Sequence, residues 1–165
     1  MAEHRLGVRT MSAQGLHVPS RTGPSFWGPG DRYTFLVTGE QSGGAYFAME
    51  AFVPPGGGPP PHIHTREDET FYILEGRCSF RLGERTVVAS AGDFVSVPRG
   101  LVHNFVNDHH DISRLILTFT PAGIDKFFLE TLEVARDPNA MPPANMDAVV
   151  ARYIEAAPRY GIKFV

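Results

Sequence analysis

Pro59-Pro60-Pro61-His62-Ile63-His64-Thr65-Arg66-Glu67-Asp68-Glu69-Thr70-Phe71-Tyr72-Ile73-Leu74-Glu75-Gly76 is the stretch on which the reading of this chain turns. The prolines hold the backbone extended as it reaches His62. His62 and His64 are two apart, so on a strand both imidazoles leave the same face, roughly 6–7 Å apart along the backbone. Glu69 follows a polar stretch able to turn the chain, and its parity favours it as the carboxylate partner over Glu67 and Asp68, which are expected to be solvated neighbours. A fourth donor of the same kind, His103, lies further along. Imidazole and carboxylate together suit divalent first-row metals.

The residues beyond Glu69 read as short strands. Thr70 to Glu75 is rich in β-branched and aromatic residues, and Gly76 ends it. Arg77-Cys78-Ser79-Phe80-Arg81-Leu82 alternates polar and apolar, the pattern of a half-buried strand. Leu82-Gly83-Glu84-Arg85 reads as a tight hairpin with glycine at its first central position, and Thr86 to Ala89 returns antiparallel. Ala91-Gly92-Asp93 is a second turn, Phe94 to Val97 a further strand, and Pro98-Arg99-Gly100 the turn before His103. His103, Phe105 and Asn107 share one face of the strand that follows. Upstream, Tyr33 to Val37 and Ala45 to Val53 read as strands joined by the 39–44 loop. The expectation is an all-β fold, a sandwich or small barrel.

Two spaced patterns enclose these strands. Gly56, His62, His64, Glu69 and Gly76 spell G-x5-H-x-H-x4-E-x6-G, and Gly92, Pro98, Gly100, His103 and Asn107 spell G-x5-P-x-G-x2-H-x3-N. Together they resemble the two motifs of the cupin superfamily over roughly residues 45–120. The resemblance implies a small antiparallel β-barrel of the cupin (jelly-roll) type with one metal ion at its mouth, held by His62, His64, Glu69 and His103. Within the superfamily, residues 59–76, residues 92–100 and the Tyr160-Gly161-Ile162 ending look most like single-domain bacterial quercetin 2,3-dioxygenase-like cupins. That likeness implies a divalent transition metal (iron, manganese, nickel, cobalt or copper) and a flavonol or similar enolisable aromatic or polyketide substrate. Glu69 would be both ligand and catalytic base for the 3-hydroxyl, after which dioxygen adds and the ring opens with loss of carbon monoxide.

The ends have a different texture. Residues 1–30 are broken by glycine and proline yet carry Phe26 and Trp27, and are expected to pack on the 31–120 barrel or on a partner subunit. In the 121–165 tail, Ile124, Phe127, Phe128, Leu129, Leu132 and Val134 suit an amphipathic helix. Asn145 is a plausible N-cap for a second helix, with Asp147 in its first turn and Val149, Val150, Tyr153 and Ile154 packing inward. Asp137-Pro138-Asn139 and Met141-Pro142-Pro143 mark the loop between them. Burial of the N-terminal aromatics and these helices would favour a homodimer.

Composition narrows the partners. At 165 residues the chain suits one core, and a formal charge of −3 gives no reason to expect nucleic acid or an anionic membrane. No apolar run is long enough to span a bilayer, and the first residues lack the apolar core of a secretory signal, so a cytoplasmic protein is expected. Cys78 is the sole cysteine; it shares a face with Phe80 and Leu82 and reads as a buried, inert thiol. His109-His110 is expected on the surface, His4 and His17 in irregular chain, and Arg66 and Arg99 at the rim. By parity, Phe71 and Ile73 accompany Glu69 and Phe105 accompanies His103. With Phe35, Phe47 and Met49 they are the candidates for a substrate wall, though aromatic residues also simply fill small barrels. Three functions fit the quartet: a dioxygenase taking O2 and a small molecule, a redox-neutral isomerase, cyclase or decarboxylase using the metal as Lewis acid, and a non-catalytic small-molecule binder. A requirement for dioxygen separates the first two.

Overall fold

The computed structural model describes residues 15–137, 143 and 145–165. His4 and the turn positions Pro138, Asn139, Met141 and Pro142 lie outside the described residues. The strands are β1 (Ser25–Trp27), β2 (Arg32–Val37), β3 (Phe47–Val53), β4 (His62–His64), β5 (Asp68–Glu75), β6 (Arg77–Leu82), β7 (Arg85–Ser90), β8 (Phe94–Val97), β9 (His103–Val106), β10 (Ser113–Thr120), β11 (Glu133–Val134) and β12 (Ile162–Phe164). Two helices, α1 (Asp125–Thr131) and α2 (Asp147–Ala156), lie between β10 and β12.

All described ladders are antiparallel and form two sheets instead of one closed barrel. The larger runs β11-β1-β2-β3-β10-β5-β8 and the smaller β12-β4-β9-β6-β7. Alternation along β5, β6 and β10 turns one side chain in two toward the space between the sheets, where Phe71 meets Phe80 and Phe105 at ring-centroid distances of 5.0 and 5.6 Å. This aromatic contact between the sheets makes the molecule a jelly-roll sandwich. The expected hairpin is present, with Leu82 opposite Arg85 across Gly83-Glu84.

The spaced glycines and asparagine have mechanical roles. Gly76 has φ +73°, and a Cβ there would stand 2.6 Å from the Ser113 Oγ. At Gly58, φ +124°, a Cβ would stand 2.1 Å from the Phe105 carbonyl oxygen, so only glycine lets the proline-rich segment approach β9. Asn107 is buried and donates through Nδ2 to the Val53 and Asp111 carbonyls at 2.8 and 2.7 Å. Its backbone carbonyl accepts the Gly56 N–H at 2.7 Å, so the two sequence patterns are tied to each other directly.

The ends depart from their sequence reading. Three short strands were not expected there: β1, which pairs with β2; β11, which pairs with β1; and β12, which pairs with β4. Helix α1 stops at Thr131, where the Leu132 N–H closes on the Phe128 carbonyl, so Val134 belongs to an exposed strand and Leu129 also faces outward. On α2, Val149 is buried, but Val150 and Ile154 are 37% and 59% exposed. Their stripe faces a cavity where the sequence had suggested core. Asn145 Oδ1 accepts the Asp147 N–H at 2.8 Å, as a capping residue should, although the helix proper begins after Met146.

Two buried groups allow direct checks of this architecture. Cys78 is fully buried and its thiol is pushed up to about 11 by burial. Iodoacetamide at pH 8 should therefore label Cys78 only after denaturation, as read by intact mass; rapid labelling of folded protein would contradict the packing. Asp31 is buried just before β2, with the Tyr33 hydroxyl donating to Oδ2 at 3.0 Å. Burial raises its carboxyl from 3.8 to about 6, against the Tyr33 hydroxyl and the Gly58 amide, which favour the charged form. A folded-state pKa raised in this way costs nothing below pH 4 and about 3 kcal/mol once pH exceeds the raised value. Asp31→Asn should accordingly be the more stable protein in urea at pH 7.5 by about 2–3 kcal/mol, with the advantage gone at pH 4. An unchanged midpoint at pH 7.5 would remove the burial argument.

Candidate metal centre

The four expected ligands come from three adjacent places in the fold. His62 and His64 leave the same face of β4, Glu69 projects from β5, and His103 opens β9 directly opposite His62. All four side chains are buried, and one donor atom from each lies within 4.8 Å of the others. His62 Nε2 stands 3.1 Å from His64 Nε2, His103 Nε2 2.9 Å from Glu69 Oε2, and His64 Nε2 3.4 Å from the same oxygen. Ligands held 2.0–2.2 Å from one ion at right angles stand about 3 Å apart, so these separations are those of a coordination polyhedron.

Backbone carbonyls orient two of the rings. His62 Nδ1 donates to the Pro60 carbonyl and His103 Nδ1 to the Leu101 carbonyl, each at 2.9 Å. A carbonyl only accepts, so Nδ1 carries a hydrogen in both rings, and loss of any second ring hydrogen would leave an Nε2 lone pair aimed at the centre. Burial, and then His64 and His103, push the His62 imidazole down to about 4, which keeps it neutral and available as a donor. Burial would lower His103 as well, but its hydrogen bond to Glu69 and that carboxylate's charge raise it overall. Burial would raise Glu69; hydrogen bonds from His103 and His64 overcome this and bring it down to about 2. Glu69 is thus held as an anion among imidazoles, an arrangement in which a cation can replace the shared hydrogens. His64 Nδ1 is buried without a hydrogen-bond partner among the described residues, so that ring, unlike the other two, is not oriented through its Nδ1. The donor set of three nitrogens and one oxygen fits a divalent transition metal, and four protein ligands leave positions open on a six-coordinate ion.

The neighbours of the quartet differ in part from their sequence reading. Glu67 is buried, not solvated: it lies before β5 begins, beside the Gly123 turn, with Oε2 unpartnered and its carboxyl raised by burial. Asp68 is half-buried and engaged, accepting the Arg99 guanidinium at 3.0 Å through both oxygens and the Arg99 N–H at 2.9 Å. Arg99 is therefore committed to a carboxylate on this rim. His109, His110 and Asp111 form a second, largely solvent-facing group.

Two cavities that share wall residues lie here, and the smaller one is at the centre. The smaller, about 30 Å³, is walled by His62, His64 and Glu69 together with Met49, Phe105, Leu117 and Phe119. Met49 and Phe105 thus stand where the sequence placed them, whereas Phe35, Phe47, Phe71 and Ile73 lie in the core and wall neither cavity. The larger, about 250 Å³, is bounded by Asp31, the Gly58-Pro59-Pro60 turn and the outer stripe of α2. Tyr33, Pro59, Tyr153 and Phe164 wall both cavities. Sequence reading had placed Tyr153 in the helical core and gave Phe164 no role. Alternation along β2 puts Tyr33 on the same face as Phe35, and that was the available signal.

Residues 49–119 match the family described as Cupin domain. Among curated proteins, the chain is 33% identical over 127 residues to a quercetin 2,3-dioxygenase from Aspergillus japonicus, covering 70% of this chain and 35% of that protein. It is 29% identical over 111 residues to the quercetin 2,3-dioxygenase of Bacillus subtilis (strain 168), covering 61% of this chain and 32% of that protein. The chain thus spans about a third of the length of either relative. Among solved structures, an RmlC-like cupin from Shewanella frigidimarina NCIMB 400 superposes with a TM-score of 0.58 at 23% identity, over 71% of this chain and 99% of that one. The two-sheet fold, the paired glycine-histidine patterns and the domain match over the ligand-bearing strands place this chain in the cupin superfamily.

Proposed function

We propose that the chain is a metal-dependent dioxygenase that cleaves a flavonol or another enolisable aromatic compound with O2. The observation that carries the reading is the enforced orientation of His62 and His103, whose Nδ1 hydrogens are spent on Pro60 and Leu101 so that their Nε2 atoms converge with His64 and Glu69. The likeness to two quercetin 2,3-dioxygenases supports the reaction type.

His62, His64, Glu69 and His103 would hold the ion, which when bound supplies Lewis acidity and a site for O2. The protein's own contribution is positioning and proton handling. Phe105, Phe119 and Leu117 exclude bulk water, which strengthens every charge interaction at the centre. Glu69 is the one carboxylate at the centre and the natural acceptor for an acidic substrate hydroxyl. The hydrogen bonds it accepts from His103 and His64 lower its basicity; those rings would give up the shared hydrogens on holding an ion, whose charge would then keep the carboxylate anionic.

The mutational expectations are specific. The native protein should carry about one equivalent of metal by elemental analysis, and His62→Ala and His103→Ala should each lose most of it, while circular dichroism stays that of a β protein. Undiminished metal content would remove them from the centre. Glu69→Gln should keep a measurable share of metal but lose flavonol turnover by roughly 10²–10⁴-fold, the usual scale for a general base. Full oxygen uptake by that variant would refute the assigned role. Turnover by the native protein without oxygen consumption would point instead to redox-neutral chemistry at the same ligands.

A further inference from the structure

His103 begins β9 at the candidate centre, and Asn107 follows the strand's other end, about 13 Å of extended chain away. There the buried Asn107 closes a short loop. It accepts the His109 N–H on Oδ1 at 3.0 Å and donates through Nδ2 to the Asp111 carbonyl at 2.7 Å, so one side chain holds the backbone of both residues. Asp108 accepts from the Ser79 hydroxyl at 2.6 Å and ties the same loop to β6. Outside this frame the side chains of His109, His110 and Asp111 gather, one donor atom from each within 4.8 Å of the others. The two imidazole rings pack against each other at 3.9 Å between centroids. His109 Nδ1 and His110 Nε2 stand 4.0 and 3.7 Å from the same oxygen, Asp111 Oδ2, both too far for hydrogen bonds. Donors held 2.0–2.2 Å from one tetrahedral ion stand about 3.4 Å apart. The group is thus only slightly more open than a loaded site, and turns of the exposed His110 and Asp111 side chains close it.

We propose that His109, His110 and Asp111 form a second metal site, which takes a borderline divalent ion of the Zn2+ type and leaves its remaining position to water. Two imidazoles and one carboxylate suit that class of ion and are too rich in nitrogen for Mg2+ or Ca2+. The neighbouring Asp108 carboxylate adds negative charge beside the cation. Three ligands in a solvent-facing loop hold an ion less firmly than four buried ones, so this ion exchanges where that of the centre is retained. Its role is structural. Asn107 also donates to the Val53 carbonyl, and its own carbonyl accepts the Gly56 N–H, so an ion that fixes the 109–111 loop braces the joint between the two sequence patterns. The site stands or falls independently of the dioxygenase reading.

The test is equilibrium dialysis of the full chain against micromolar free Zn2+, followed by elemental analysis, with the native protein beside a His109→Ala/His110→Ala variant. The native protein should hold one equivalent more than the variant, and dialysis against metal-free buffer should remove that equivalent first. No difference between the two proteins would overturn the proposal, whatever the centre holds. Singly, His109→Ala, His110→Ala and Asp111→Ala should each weaken the exchangeable equivalent by about ten-fold or more, since a lost ligand costs no less than a lost outer partner. Unchanged affinity in any of the three would break the ligand assignment, and so would displacement of the Zn2+ by Mg2+ in excess. The structural role has its own readout. Zn2+ should raise the urea midpoint of His62→Ala/His103→Ala protein, and should not raise it once His109→Ala/His110→Ala is added. An equal response of both would refute that role. A native protein that takes up the loop's equivalent and no other would sink the four-ligand centre, and the dioxygenase reading with it, while the loop site stands.

Discussion

His62 and His103 each give a ring hydrogen to the carbonyl two residues earlier in their own chain, and the rest of the centre depends on that repeated local bond. It fixes which nitrogen faces inward without recruiting any other side chain, and it works only if the backbone just before each histidine is held rigidly. Both approaches are so held. The prolines fix the first, and the Pro98–Gly100 turn, whose Gly100 N–H bonds the His64 carbonyl at 2.8 Å, fixes the second. The ladder then places His62 opposite His103, and β12 pairs with the other edge of β4. A three-residue ligand strand with partners on both sides cannot twist away from its carboxylate on the other sheet.

Electrostatics at the centre follows from this rigidity. Glu69 sits fully inside an aromatic sandwich, where burial alone would protonate it, and stays anionic only because imidazoles are locked within hydrogen-bond reach. The same carboxylate raises His103 against burial. Asp31 shows the converse: one hydroxyl and one amide do not offset its burial, and its carboxyl rises. Of these two carboxylates the fold offsets the burial of one and not of the other, in cavities that share four wall residues.

What could be read from sequence had long or repeated signals. The ligand spacing, the central strands from Asp68 to Val97 and the Gly83-Glu84 hairpin each rest on period-2 alternation or on turn chemistry, and they stand as read. The missed strands β1, β11 and β12 are two or three residues long, too short for any periodicity to show; they exist because neighbouring strands offer free edges. Parity also misled in a definable way. It separates inward from outward side chains, but the inward face of a sandwich contains both solid core and site. Phe71 and Ile73 share Glu69's face and yet fill the core, while Tyr33 and Phe164 reach the centre from segments far from the motifs. Glu67 was misplaced for a related reason, since alternation says nothing of a residue that precedes its strand.

The family match covers residues 49–119 and with them every ligand of the centre. The walls of the larger cavity are drawn largely from outside it: Asp31 and Tyr33 come from before the matched segment, and Val150, Tyr153, Ile154 and Phe164 from after it. Likeness in the matched segment therefore informs the metal-binding chemistry, which is common to proteins acting on different molecules, and carries little about which molecule enters. The C-terminal tail contributes to the candidate centre and to both cavities. Its β12 braces the ligand strand, while Tyr153 on α2 and Phe164 on β12 form the boundary between the two cavities. On the dioxygenase reading, substrate choice would belong to the residues that wrap the domain, and changing it would require substitutions along α2, β12 and the start of β2, with His62, His64, Glu69 and His103 left untouched.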